Sequence, residues 1–208
     1  MNTNTTPARS LLHRAAEHRA MAWKNGGGTT RELAVFPPNA GLQDFIWRAS
    51  LADVAVDGPF SRFDGIDRIL VLLEGAGMTL AFDRHIDVRL SQPYQSLSFA
   101  GESEVTALLH AGPTRDLNLM TRRDRVRGSV QTVRGPALYA CDPEVALLFC
   151  AAGRAALGWQ GHSAGVLYAG DLLQIAPEEA GAWQAEIAGA AVLIALRITP
   201  VPESGVTP

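Results

Sequence analysis

Apolar and polar positions alternate along this chain in short runs, and glycine or proline breaks the pattern every few residues. Thr29 to Phe36 alternates, with Thr30, Glu32, Ala34 and Phe36 on one face and Arg31, Leu33 and Val35 on the other, before Pro37 and Pro38 end the run. Successive side chains of a strand point to opposite faces, so this period of two predicts a half-buried β-strand. Phe45 to Val54 repeats it: Phe45, Trp47, Ala49 and Leu51 share one face, and Ile46, Arg48, Ser50, Ala52 and Val54 the opposite one. Asp57-Gly58-Pro59 reads as a turn. Two strands are predicted over Arg68 to Phe82, around Glu74-Gly75-Ala76-Gly77, with more at 96–100, 104–110 and 116–120. Apolar runs at 146–150, 155–159, 166–168, 172–176 and 190–198 predict a second set. Residues 11–22 have room for one or two helical turns, and 1–10 read as a frayed polar leader. Many short strands between turn signals are the pattern of sandwiches and barrels.

The two sets of strands register on each other. A shift of 76 residues brings Leu72 onto Leu148, Gly77 onto Gly153, Leu97 onto Leu173, Phe99 onto Ile175, Leu117 onto Leu193 and Asn118 onto Ile194. One constant offset over such a length is expected of a repeated structural unit. Two copies of a small antiparallel barrel make an all-β bicupin, that is, two jelly-roll-like barrels from an internal duplication. The expected organisation is a single unit over 1–208, with a first half at 22–122 and a second at 136–200. Between the halves, Arg122, Arg123, Arg125, Arg127 and Arg134 face only Asp124. That stretch, 121–135, could form an anion- or RNA-binding patch, but a solvated linker is the expected reading.

Composition narrows the function classes. The 208 residues carry 18 basic and 21 acidic side chains, a net charge of −3, which gives no case for nucleic acid or an anionic membrane. Cys141 and Cys150 are the only cysteines, and nothing demands that they pair. The polar start shows no secretory signal, and no apolar run is long enough to span a bilayer, so a cytoplasmic protein is expected.

Candidate chemistry is sparse. A cupin metal site needs imidazoles and a carboxylate converging from neighbouring strands, with two histidines one residue apart after the first hairpin glycine. Here that stretch, Gly77 to Phe82, holds no histidine, and none of His13, His18, His85, His110 and His162 forms such a pair, so no metal and no cofactor are expected. Asn25-Gly26-Gly27-Gly28 is bracketed by Lys24 and Arg31, but it lacks the features of a phosphate loop. It reads equally as a turn before a strand or as an amide nest for an anion, and composition leaves both open. No nucleophile elbow occurs, so no catalytic residue is assigned. What remains are polar groups on strands: Arg48 and Ser50 on one face, Arg68 opening an apolar run, and Asn118 pointing away from Leu117 and Leu119. A charge on a barrel strand must reach water or a partner. The choice is between a rim ion pair, such as Arg48 with Glu32, and a pocket that takes a carboxylate on guanidinium forks.

Four blocks carry a resemblance: Trp23-Lys24-Asn25-Gly26-Gly27-Gly28-x-Thr30-Arg31-Glu32, Trp47-Arg48-x-Ser50-x-Ala52-x-Val54, Gly58-Pro59-Phe60-Ser61-x-Phe63-x-Gly65-Ile66-Asp67-Arg68, and Asp116-x-Asn118-x-Met120-x-Arg122. In order and spacing they resemble the HutD/Ves family over about Ala22 to Arg122. The resemblance implies a bacterial, cytoplasmic bicupin without an obligatory metal, tied to histidine utilisation. It also implies an accessory or regulatory role in binding an anionic pathway intermediate such as N-formylglutamate. The family-motif positions Lys24, Asn25, Arg31, Trp47, Arg48, Ser50, Phe63, Arg68 and Asn118 are therefore the expected ligand-binding residues. A metal-independent cupin isomerase or hydrolase acting on a small carboxylate, and a pirin-like interaction protein, are the competing classes. The expected partner is a small anionic metabolite, with no nucleic acid and no membrane; a homodimer is left open.

Overall fold

The computed structural model describes residues 9–23, 26–83 and 86–202. Their strands in the first part of the chain are β1 (Leu11–His13), β2 (Ala20–Ala22), β3 (Gly28–Phe36), β4 (Trp47–Val54), β5 (Gly58–Pro59), β6 (Ile66–Glu74), β7 (Met78–Phe82), β8 (Ile86–Leu90), β9 (Ser96–Ala100), β10 (Val105–Leu109) and β11 (Thr114–Arg122). Those of the second part are β12 (Val126–Arg134), β13 (Ala137–Ala140), β14 (Val145–Ala152), β15 (Arg154–Trp159), β16 (His162–Tyr168), β17 (Leu172–Gln174), β18 (Trp183–Ile187) and β19 (Val192–Pro200). The helical content of the described residues is two single 3-10 turns, Ala15–Glu17 and Pro177–Glu179. None of it is long and apolar enough to cross a membrane.

Contacts divide the chain into two compact units. The first barrel, built from His18–Gly128 with the described residues after Ile198, has a six-stranded sheet ordered β2-β3-β4-β11-β6-β9 and a four-stranded sheet ordered β5-β10-β7-β8. Ala52, Val54, Leu70, Leu72, Met78, Leu80, Leu90, Val105 and Ala107 form its buried core. The second barrel combines Ser129–Ile198 with the described residues up to Glu17, in sheets β1-β17-β14-β19-β12 and β13-β18-β15-β16. The expected helix at 11–22 is therefore replaced by β1 and β2 around one 3-10 turn, because Leu11–His13 find backbone partners in Leu172–Gln174. The expected linker at 121–135 is likewise largely strand: β11 runs through Arg122, and β12 is an edge strand whose outer positions remain polar.

Eight strands recur in the same pairing pattern, β4–β11 in the first barrel and β12–β19 in the second. Leu72 on β6 and Leu148 on β14 are both fully buried in their barrel cores, each between equivalent neighbours (β9 and β11, β17 and β19). Gly77 and Gly153 both adopt positive φ in the turns that follow, where the chain passes from one sheet to the other. At Gly77 a side chain would also collide with the Leu90 carbonyl. The offset is not constant, however. Met78 pairs with Leu90 and Ala155 with Leu167, which moves β7 and β8 onto β15 and β16 at 77. Leu72 faces Asp116, whereas Leu148 faces Ala195, so β11 maps onto β19 at 79. Extra residues around the 3-10 turn Pro177–Glu179 and bulges in the β14–β19 ladder account for this drift. Asn118 thus corresponds to Arg197, which pairs with Val145 as Asn118 does with Leu70, and the equivalence with Ile194 is corrected.

Candidate functional site

The polar residues singled out by the sequence converge on the inner face of the six-stranded sheet, where β4, β11 and β6 lie side by side. Met120 on β11 pairs with Arg48 on one side and Arg68 on the other. The next inward row is Ser50–Asn118–Leu70, and the one after it Ala52–Asp116–Leu72. Ala52, Leu70 and Leu72 belong to the barrel core, and strand alternation puts Arg48, Ser50, Arg68, Asp116 and Asn118 on the same interior face. Phe60, Phe63 and Phe99 surround the Arg68 guanidinium, with ring centres 5.3, 5.8 and 5.0 Å away. Arginine stacks well on aromatic faces, and this cage holds the side chain inside the barrel.

Arg48 and Arg68 are both only 6% exposed, but they are held differently. Arg48 Nε donates to Glu32 Oε2 at 2.8 Å, the ion pair that the strand pattern offered as one alternative, and its Nη1 reaches Ser50 Oγ at 3.4 Å. Arg68 Nη1 donates to the Ser61 carbonyl at 3.3 Å, and its Nε has no hydrogen-bond partner. Asp116 Oδ2, Asn118 Oδ1 and Thr114 Oγ1 are also buried without one. Each such group in a native interior costs about 1–3 kcal/mol, so a cluster of them on adjacent strands calls for a partner. Burial pushes the Asp116 carboxyl up to about 7, opposed by the positive charge of Arg68 and reinforced by Asp53. Burial also brings Arg68 down to about 10, with Asp116 opposing and the like charge of Arg48 adding to the shift. The interior thus carries buried guanidinium charge, unmet acceptors and a carboxyl that changes protonation near neutrality.

Not every expected site residue joins this cluster. Arg48, Ser50, Arg68 and Asn118 do, and Phe63 walls it. Trp47 points to the opposite face of β4, where it stacks on Phe36 with ring centres 6.1 Å apart. Arg31 faces away as well and pairs with Asp53 at 2.6 Å, beside Arg115. Lys24 and Asn25 lie outside the described residues. Gly26 and Gly28 next to them form a turn, with Trp23 N donating to the Gly28 carbonyl at 2.9 Å as β3 begins. A side chain on Gly28 would meet the Asp53 carbonyl, so close strand packing accounts for this glycine. Asp116 was missed as a site residue, although it shares its face with Asn118 at a spacing of two and that spacing was visible in the fourth motif block. Phe63 and Ile66 also border a surface cavity of about 300 Å³ that Arg62 and Arg122 line. Among the described residues no three His, Cys, Asp or Glu side chains gather as a metal site, and His85 lies outside them.

Relatives place this architecture. The family model described as HutD matches residues 15–195. Protein Ves of Citrobacter koseri is 44% identical over 110 residues, which are 52% of this chain and 56% of Ves, so the match spans about half of that relative. An uncharacterised 21.2 kDa protein in the hutC 3' region of Pseudomonas putida is 36% identical over 73% of this chain and 78% of its own. Among solved structures, a conserved protein of unknown function from Pseudomonas aeruginosa PAO1 superimposes with a TM-score of 0.84 at 33% identity, over 92% of this chain and all of the other. HutD of Pseudomonas fluorescens SBW25 does so with a TM-score of 0.75 at 30% identity, over 92% and 99%. The cupin fold itself extends to more remote structures, such as Ylba of Escherichia coli, with a TM-score of 0.69 at 11% identity over 99% and 97% of the two chains. The chain belongs to the HutD family.

Proposed function

We propose that this protein is a small-molecule-binding accessory or regulatory protein of histidine utilisation, and that its first barrel takes up an anionic pathway intermediate such as N-formylglutamate. The observation that carries this reading is the pair of buried arginines flanking Met120, one of which, Arg68, has an unused Nε and forms no ion pair among the described residues. A caged guanidinium with a free donor edge is a carboxylate receptor, because charge-assisted hydrogen bonds are strongest where water is excluded. The family's link to the histidine-utilisation region supplies the ligand class, and N-formylglutamate matches the interior with carboxylates for the arginines.

Calorimetric titration of the wild type with N-formylglutamate, alongside Arg48→Ala and Arg68→Ala, tests the reading. Removing one desolvated partner of a bound carboxylate costs about 2–5 kcal/mol, roughly a thirtyfold loss of affinity or more. Unchanged affinity in both folded variants puts the site elsewhere, and absence of binding to the wild type removes the ligand assignment.

Asp116 supports a second reading, a metal-independent hydrolase or isomerase. A buried carboxyl that titrates near neutrality beside a guanidinium can exchange protons with a bound substrate. Prolonged incubation with N-formylglutamate, followed by proton NMR, separates the two. Recovery of intact ligand favours the binder, and release of formate or appearance of an isomer favours the enzyme.

A further inference from the structure

We infer that Asp116 and Asn118 read a hydrogen-bond donor beside the ligand's carboxylate, so that the first barrel selects carboxylates bearing an adjacent N–H over plain dicarboxylates. This rests on the anion-binding reading above and specifies the ligand class of the same site.

Three buried atoms without partners define the demand. Arg68 Nε is a donor, Asn118 Oδ1 is an acceptor, and Asp116 Oδ2 is an acceptor whenever its carboxyl is ionised. They project from neighbouring strands into one interior, in consecutive inward rows: Arg68 beside Met120, Asn118 beside Leu70, Asp116 beside Leu72. Inward residues on one strand are about 6.8 Å apart, so the Arg68 and Asp116 rows lie roughly 14 Å apart along the strands with Asn118 midway; the long Arg68 side chain narrows that gap, and the charges of Arg68 and Asp116 act on each other across it. All three residues are at least nine-tenths buried, which leaves bulk water little access to them.

A ligand that offers only carboxylate oxygens satisfies the arginine edge and fails the other two. It covers Asp116 Oδ2 and Asn118 Oδ1 without supplying a hydrogen, and sets its own lone pairs against theirs. A carboxylate with a neighbouring N–H meets both demands, since its oxygens accept from Arg68 while its nitrogen donates to Asn118 or Asp116. Sites with buried acceptors reject analogues that lack the matching hydrogen, because the acceptors are then desolvated for nothing. The shared feature is the N–H. It can come from an N-acyl group or from a free ammonium, and burial of the site, which penalises an added charge, favours the neutral amide.

The test is calorimetric titration of the full chain with N-formyl-L-glutamate, L-glutamate and glutarate, using the wild type and Asn118→Leu. The wild type is expected to hold at least one of the two N–H-bearing ligands roughly tenfold or more tighter than glutarate. Their order identifies the nitrogen: N-formylglutamate ahead means an amide, and glutamate ahead means an ammonium. Asn118→Leu should shrink the preference while it keeps the affinity for glutarate. The wild-type series needs no variant to fold. Equal affinity for all three overturns donor recognition and leaves anion binding standing, whereas no binding by any of them overturns both. An undiminished preference in folded Asn118→Leu and in a second variant that removes the other acceptor, Asp116→Leu, overturns the assignment to these residues.

Discussion

Where the first barrel sets Asp116 opposite Leu72 and Asn118 opposite Leu70, the second sets Ala195 opposite Leu148 and Arg197 opposite Val145. Around Ala195 the interior of the second barrel is a continuous apolar cluster of Val145, Leu148, Cys150, Leu157, Leu167, Leu173, Ile187 and Leu193, among others. Its cysteines are free, buried thiols pushed up to about 12 (Cys141) and about 11 (Cys150) by burial, so they act as small apolar side chains. Arg197 differs from Arg68 as well. It donates to Asp142 Oδ2 at 2.6 and 2.9 Å, to Gln131 Oε1 at 2.9 Å and to the Tyr139 hydroxyl at 3.2 Å. In the second barrel the charge at the equivalent inward row is matched on the spot, and among its described residues the buried side-chain groups left unpartnered are the indole N–H groups of Trp159 and Trp183, whereas the first barrel leaves a charged donor and several acceptors wanting. The same strand plan thus serves stability in one copy and recognition in the other, since unmet buried polar groups persist where something else is meant to meet them.

The strongest way to break this contrast is to transplant the polar row. Ala195→Asp puts a carboxyl into the apolar barrel at the position of Asp116, with Leu148 opposite and no ligand to receive. An uncompensated buried charge costs about 3–5 kcal/mol, which should appear as a sharply lower urea midpoint or failure to accumulate folded protein. A loss of stability under about 1 kcal/mol would show that the second barrel tolerates polar interiors as well as the first.

Next in size is the effect on ligand affinity. Arg68→Ala should weaken N-formylglutamate binding at least about thirtyfold, while Arg197→Ala should leave it unchanged and lower stability instead, because its contacts are internal to the second barrel. Equal losses of affinity in the two variants would mean that the copies share the recognition task.

The central strands of both barrels were legible in the sequence because one face of each is fully buried and forces alternation. The edges were not. β8 and β12 keep most of their positions exposed or half-buried, so nothing compels a repeat of two. The two faces assigned to 29–36 were displaced by a bulge between Glu32 and Ala34, which brings Val35 into register with Arg48 and Phe36 with Trp47. Arg48, Ser50, Arg68 and Asn118 could be found as polar residues on strand faces. Alternation already set Trp47 on the face opposite Arg48 and Arg31 on the face opposite Glu32; motif membership alone kept them among the expected site residues, and the pairing places their faces away from the cluster. Asp116 was overlooked because an aspartate at the start of a strand reads as surface until its neighbours show that the row is inside.

A pH series sharpens the comparison, because Asp116 and Asp142 contribute with opposite sign. Asp116 is raised from 3.8 to about 7, mainly by burial. Between those values the folded barrel retains a proton that the unfolded chain has released. Its contribution therefore favours folding at the acid end, declines as pH rises through the window, and levels off above about 7. Asp142 in the second barrel is lowered by its hydrogen bond to Arg197, so its contribution is present above the ordinary aspartate range and disappears as pH falls below it. Urea midpoints measured from pH 4 to 8 should decline less steeply in Asp116→Asn than in the wild type. An identical slope would place the titrating group elsewhere.

The smallest effect is expected at Arg31, and it tests whether facing inward, rather than motif membership, defines the site. Arg31 is a family-motif residue, yet its side chain lies on the outer face of the sheet in an ion pair with Asp53, and both side chains are about 30% exposed. Water screens such a pair, and a second cation, Arg115, reaches the same carboxylate at 2.6 Å and holds it after Arg31 is gone. Arg31→Ala should therefore cost under about 1 kcal/mol of stability and leave affinity for N-formylglutamate where it was. Charge alone cannot explain that outcome, because Arg31 and Arg68 carry the same charge within the same sheet; what differs is that Arg68 is caged by three aromatic rings and Arg31 is open to solvent. If Arg31→Ala instead weakens binding as much as Arg68→Ala does, the ligand sits on the outer face with Arg31, Asp53 and Arg115, and the interior cluster has some other partner.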